Sequence, residues 1–379
     1  MVVNQLRKVN LPSTNGIRIP SLDGLRALSI VIVMASHTVA VFDPKDPHFN
    51  AGWAILSNGQ IGVEIFFVIS GFLITSLLLS ELSDTGEISL RRFYLRRSIR
   101  ILPPYYVFLA AILGARSLGW LTLSLKEWIS SLLFIWNYLP SSHSWWLGHT
   151  WSLCVEEQFY LLWPLALKGL GRQGAQRLAL WIVACSPLIR VLTYFTLPTF
   201  REKLTFFLST RADALMMGCI LALCATEPWF QSAWETIGHP TFVWGATVFV
   251  LILSPVLFSR FHFVYQMSVG YTLEVLCIGL VLMWVVRNPA AGFGKFLNLP
   301  IVAFAGVLSY SLYLWQQPFI RYQGSLATQL PYNLALILLL AAFSYFCVER
   351  PALSARRRLR HEAPAMETRH FQVAAGEDA

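Results

Sequence analysis

The sequence predicts an all-α fold: a polytopic transmembrane helical bundle of about ten spans with both termini cytoplasmic. Three observations lead there. Only 13% of the 379 residues are charged and 56% are hydrophobic, whereas a soluble domain carries about 25% charged residues. Apolar runs approaching the roughly 20 residues of a bilayer crossing recur along the chain. The basic residues fall between those runs and favour one side.

The apolar segments lie at about 25–42, 59–80, 99–114, 151–168, 178–196, 206–225, 241–258, 269–286, 301–321 and 332–348. A further run, 128–139, is only twelve residues and reads as interfacial or re-entrant. If 128–139 does not span, the inner loops are 81–98, 169–177 and 287–300, which hold Arg91, Arg92, Arg96, Arg97, Arg172, Arg177, Arg287 and Lys295. The outer loop 43–58 holds one lysine and 140–150 none, as positive-inside topology requires. If 128–139 did span, most of these assignments would invert.

Residues 1–20 form a polar cytoplasmic N-terminus, 21–351 one membrane domain, and 352–379 a basic, then disordered, tail. The first apolar run lacks a small-x-small cleavage site and reads as a retained helix rather than a signal peptide. The net charge of +9 follows membrane topology and does not point to nucleic acid. All six cysteines lie in apolar stretches and none forms C-x-x-C, so they read as core residues, not disulfides or metal ligands.

Chemistry concentrates where charge enters the apolar runs, because an ionised side chain in hydrocarbon costs roughly 2.5 kcal/mol or more. In HTWSLCVEEQFYLLWP, residues 149–164, His149, Ser152, Glu156 and Tyr160 share one helical face. Glu157 falls on the neighbouring, mostly apolar stripe and reads as a flank of that seam. In LDGLRALSIVIVMASH, Arg26 and His37 share a face about 16 Å apart along the axis, with His37 nearer the outer end. A neutral imidazole can take a proton from a hydroxyl, and a carboxylate such as Glu156 can orient it if the two meet in space. RRFYLRRSIRILPPYY, residues 91–106, places Arg96, Arg97 and Arg100 on the cytoplasmic side, where guanidinium groups can grip phosphate. Positive-inside retention alone also accounts for such a basic loop.

RADALMMGCILA, residues 211–222, puts Arg211 and Asp213 near an outer helix end, where a structural ion pair is the plain reading. GVEIFFVISGFLI, residues 62–74, adds Glu64, with Gly62 and Gly71 suited to close helix packing. Glu274 and Arg190 are embedded without an assignable role. No G-x-S-x-G elbow, P-loop or H-E-x-x-H is present.

These strings, in this order over about residues 20–351, together resemble the acyltransferase-3 family of integral membrane acyltransferases. The resemblance implies transfer of an acyl group, often acetyl, from cytoplasmic acyl-CoA to a hydroxyl of a glycan, a lipid-linked sugar or a small molecule. It implies acyl-CoA as co-substrate with no bound cofactor and no metal, a multi-pass protein of the cell membrane (the bacterial inner membrane), and membrane lipid but no nucleic acid as partner. By the same resemblance His37, Glu156 and Glu157 are catalytic candidates. Arg26, Arg96, Arg97, Arg100, His149, Tyr160, Arg211 and Asp213 are candidates for binding acyl-CoA or the acceptor. SYSLYLWQQP departs from the family by carrying Gln316 where many members have histidine, so no role transfers to that position. The esterase-like domain fused to some members is not seen in this sequence. The rival readings are a secondary transporter of a small polar or acidic solute, against which no inverted repeat is detected, and a non-catalytic partner of an envelope complex.

Overall fold

In a computed structural model, residues 19, 21–39, 58–139, 144–320 and 328–354 are described, and they are helical with no strand among them. In chain order the helices that position the site are α1 (Leu22–Val39), α2 (Gln60–Thr85), α3 (Leu90–Ser117), α4 (Leu125–Leu132), α5 (Thr150–Thr196) and α6 (Leu208–Cys224). After a short helix α7 (Pro228–Ile237) come α8 (Pro240–Val248), α9 (Ser254–Tyr265) and α10 (Tyr271–Arg287), then α11 (Gly292–Leu297), α12 (Pro300–Phe319) and α13 (Tyr332–Phe343). Seven helical runs among the described residues are long and apolar enough to cross a membrane.

Two of those runs are far longer than one crossing. Residues Thr150–Thr196 cover 47 positions and Pro240–Arg287 cover 48. At about 1.5 Å per residue each extends roughly 70 Å, against a hydrocarbon thickness of about 30 Å. Both are interrupted. Gly171 takes φ 67 and ψ 179, a backbone state open to glycine and strained for other residues, and His262 takes φ 48 and ψ −136. The Gly171 break falls between the two apolar segments the sequence predicts there. Beside it Arg172 reaches the end of α6, bonding the Leu223 carbonyl at 2.7 Å and pairing with Glu227 at 2.7 Å.

The run 128–139 forms no spanning helix. It is the eight-residue α4 followed by a single 3-10 turn, Trp136–Tyr138. Side chains tie it down: the Tyr105 hydroxyl donates to the Ser131 carbonyl at 2.9 Å and the Trp128 indole to the Leu109 carbonyl at 2.9 Å. The arginine-rich stretch departs from expectation in the other direction. It is not a loop but the first turns of α3, started by Ser89, whose side chain accepts from the Arg92 amide, and the helix runs on through Pro103 and Pro104. All six cysteines are free.

Helices pack most closely where glycine removes the side chain. A Cβ at Gly62 would lie 2.6 Å from the Ser29 carbonyl oxygen of α1. At Gly71 of α2 and Gly218 of α6 the approach is reciprocal: a Cβ on either would run into the other helix's backbone, at Leu215 and Val68 respectively.

Buried charge also joins the helices. Arg190 of α5, fully buried, donates to Asp213 of α6 at 2.7 Å, to the Met267 carbonyl at 3.0 Å and to Thr272 of α10 at 2.5 Å. Thr272 in turn donates to Asp213 at 2.9 Å. Arg211 of α6 pairs with Glu64 of α2 at 3.1 Å and lies over the Tyr271 ring at 3.9 Å. Glu274 accepts from Ser254 of α9 at 2.5 Å and from Gln266 at 2.7 Å. Arg211 and Asp213 are therefore not an ion pair with each other. Each is matched to a partner from another helix, and Glu64, Arg190 and Glu274 belong to the same network.

Two substitutions test this packing. Gly218→Val should force α2 from α6 and lower stability by about 1–3 kcal/mol or more, read as a fall in the detergent unfolding midpoint. Asp213→Ala leaves Arg190 buried without its acid, which typically costs about 3–5 kcal/mol. It should lower the same midpoint while the residual folded protein keeps its affinity for donor, measured by equilibrium binding.

Candidate functional site

A cavity with an empty volume of about 720 Å³, its mouth included, lies between α1, α2, α3, α5 and α12. Arg26 of α1, Ser70 of α2 and Arg97 and Arg100 of α3 line it, with Ser152, Glu156, Glu157 and Tyr160 of α5 and Ser309, Tyr310 and Tyr313 of α12. Arg97 and Arg100 are neighbours on one helical face at i, i+3.

The polar groups of the cavity hold one another in a defined order. Ser70 Oγ donates to Glu156 Oε1, and the Tyr160 hydroxyl donates to Ser70 Oγ at 3.2 Å. The Arg97 guanidinium lies 4.7 Å from the centre of the Tyr160 ring. Arg26 pairs loosely with Asp23 at 3.5 Å. Among the described residues no carboxylate stands within ion-pair distance of Arg97 or Arg100. At the other end the Tyr313 hydroxyl donates to the His149 carbonyl at 2.9 Å and meets Ser152 Oγ at 2.6 Å.

Glu157 departs from its predicted place. It lines the same cavity as Glu156, and its Oε1 is buried without a hydrogen-bond partner. The cavity faces a strip of α5 wide enough to include Ser152, Leu153, Glu156, Glu157 and Tyr160, so both stripes of the helix reach it. Arg96 is not brought in. It turns to Glu81 at the end of α2, 2.7 Å away.

His37 and His149 lie beyond the cavity's Tyr313 end. His37 Nδ1 is 2.8 Å from Gln316 Oε1, and its ring meets Trp145 edge-on at 5.7 Å. The His149 ring is buried between Phe108 and Tyr313, with centroids 5.5 and 5.4 Å away. No hydrogen bond or ion pair joins His37 to Glu156: the carboxylate is engaged by Ser70 and the imidazole by Gln316. The reason is height along the helices. Arg26 lines the cavity with Glu156, and His37 stands about 16 Å further along α1 at 1.5 Å per residue.

The structure thus brings Arg26, Arg97, Arg100, Glu156, Glu157 and Tyr160 to one cavity. It places His37 and His149 at its far end, and Arg96, Arg211 and Asp213 elsewhere. Sequence reasoning missed Ser70 and Tyr313, and it noted Gln316 without giving it a role. Ser70 lies inside the noted GVEIFFVISGFLI string, and Tyr313 and Gln316 sit at i, i+3 in SYSLYLWQQP, a helical spacing that places them on one face.

An O-acetyltransferase, OatA, of Staphylococcus aureus strain NCTC 8325 is 30% identical over 359 residues, covering 88% of this chain and 57% of the relative. OatA of Staphylococcus aureus strain COL matches to the same extent, 30% over 359 residues. The chain therefore spans a little over half the length of these relatives. No solved structure matches it. Residues 19–348 match the family described as Acyltransferase domain, which covers the cavity, the His37 cluster and the buried charge network alike, and the chain belongs to this acyltransferase-3 family.

Proposed function

We propose that this chain is a membrane O-acyltransferase that moves an acyl group, acetyl by preference, from cytoplasmic acyl-CoA to a hydroxyl of a glycan, a lipid-linked sugar or a related small molecule. The carrying observation is a cavity whose guanidinium groups, Arg97 and Arg100, have no carboxylate within ion-pair distance among the described residues. Cations left unmatched in a partly enclosed site call for an anionic ligand, and guanidinium suits the phosphates of coenzyme A. The O-acetyltransferase names of the relatives support the acetyl and hydroxyl parts of this reading.

Coenzyme A carries its thioester at the end of a long flexible arm. Phosphates held at Arg97 and Arg100, with Arg26 behind them, leave that arm free to extend past Tyr160 and Glu156 toward Tyr313. His37 stands beyond, partly exposed, where an acceptor hydroxyl arriving from the other side would meet it. His37 acts there as general base: it takes the hydroxyl proton as the oxygen attacks the thioester carbon, and returns it to the departing thiolate. Glu156, bonded to Ser70 rather than to His37, orders the donor end, and Glu157 offers an unsatisfied acceptor to the same cavity.

This division of labour needs the arginines inside and His37 outside. We read two crossings in each of the long runs and a further one in Pro300–Phe319, which with the other five runs makes ten spans with both termini cytoplasmic, in the inner membrane of a bacterium. Acyl-CoA is then a co-substrate, and the acceptor and membrane lipid complete the set of partners.

Topology is checked by cysteine accessibility in a background free of native cysteines. His48→Cys should react with an impermeant maleimide from outside intact cells, and Gln173→Cys only after permeabilisation; the reverse pattern overturns the assignment.

The site is checked kinetically with acetyl-CoA as donor. Arg97→Ala and Arg100→Ala should each raise the donor KM about tenfold or more, since a charge-assisted hydrogen bond contributes roughly 1.5–3 kcal/mol. Arg96→Ala should leave it near wild type. His37→Ala should lower kcat by about 10²–10⁴ with little change in donor KM.

A further inference from the structure

Resting on the reading of His37 as general base, we propose that Gln316 is a second catalytic residue of the acyl transfer. Its amide oxygen sets the tautomer of His37, and its amide N–H groups donate to the thioester carbonyl oxygen as that oxygen becomes negatively charged.

The geometry gives both halves. Gln316 is fully buried near the C-terminal end of α12, and its Oε1 lies 2.8 Å from His37 Nδ1. An amide oxygen only accepts hydrogen bonds. The bond therefore places a proton on Nδ1 and leaves Nε2 as the lone-pair nitrogen, the one able to take a hydroxyl proton. On the same amide, Nε2 is buried with no hydrogen-bond partner among the described residues. A buried N–H donor left unmatched is costly, and one beside a general base is placed to serve a substrate oxygen. The surroundings hold the amide still. The Trp145 indole donates to the Gln317 carbonyl at 2.8 Å, the Gln317 side chain donates back to the Trp145 carbonyl at 2.5 Å, and Trp145 stacks edge-on against His37.

The step balances. The acceptor oxygen bonds to the thioester carbon while its proton moves to His37 Nε2. The carbonyl oxygen carries the negative charge, which Gln316 N–H stabilises. The C=O bond then re-forms, the C–S bond breaks, and the thiolate of coenzyme A takes the proton from the imidazolium. Product ester and free thiol leave, and His37 is neutral with its proton on Nδ1 as before.

The test uses the full chain in lipid nanodiscs, with acetyl-CoA as donor and a chito-oligosaccharide as acceptor probe, alongside ¹⁵N NMR of labelled histidine. The His37 signals are assigned by their loss in His37→Asn. In the wild type Nδ1 should be protonated and Nε2 not. Gln316→Met, similar in size but lacking both groups, should release the Nδ1–H preference. It should lower kcat about 10²-fold or more, the usual cost of losing an oxyanion donor, with donor KM unchanged. Gln316→Glu keeps an acceptor for Nδ1 but has no N–H, so it should retain the tautomer and still lose kcat. A wild-type ring protonated on Nε2 overturns the orienting half. Gln316→Met or Gln316→Glu with wild-type kcat overturns the donor half. If His37→Ala keeps full turnover, the general-base reading itself falls, an outcome distinct from either.

Discussion

An ion inside a membrane must be matched by an opposite charge, by polar groups or by water, and that requirement sorts every embedded charge in this protein. Arg190 and Arg211 are sealed from solvent, and each has a carboxylate from another helix within ion-pair distance. Arg97 and Arg100 have none among the described residues, and both line a cavity. The same side chain thus does two different things. Where the helix face is packed, guanidinium joins helices. Where the face opens, it has no ion-pair partner among the described residues. The distinction follows from solvation alone.

Matching also explains why the cavity can exist. A cavity between helices is held open only if the walls are fixed elsewhere. The glycine contact between α2 and α6 and the charge network through α2, α5, α6, α9 and α10 fix them. Glu64 and Ser70 lie on the same helix, six residues apart, one bound to Arg211 and the other to Glu156. Displacing α2 to close the cavity would break a buried pair on one side and a cavity hydrogen bond on the other. Residues outside the cavity therefore set its shape.

Much of the site was legible from spacing along single helices. Ser152, Glu156 and Tyr160 share a face as predicted, and Arg26, Arg97 and Arg100 reach the cavity beside them. The errors came where one helix had to be placed against another. Arg96 differs from Arg97 by one position, about 100° of helix rotation, and that turns it to Glu81. The expected meeting of His37 and Glu156 fails because both residues were placed by side of the membrane, not by depth. Gln316 and His37 are 279 positions apart in sequence, and no periodicity within either helix announces that contact. Of the fold, the helical class and the positions of the apolar runs were readable. The helical start of α3 was not, because its arginines mask a capped helix behind a loop-like composition.

Helix α12 ties the two ends of the site together. Tyr313 closes the cavity against the His149 carbonyl and Ser152, and Gln316, three residues on, holds His37. At about 1.5 Å per residue the two contacts are roughly 4.5 Å apart along the axis. Its other faces are held as well, by the Tyr310 hydroxyl on the Ile101 carbonyl of α3 at 2.9 Å and by Gln317 on Trp145. A slide of α12 by a fraction of a turn would break the Tyr313 bonds and the His37 bond at once. The barrier between cavity and imidazole, and the orientation of that imidazole, are therefore not independent. Whatever opens a path past Tyr313 must do so by rotating that side chain, with the helix and its grip on His37 left in place.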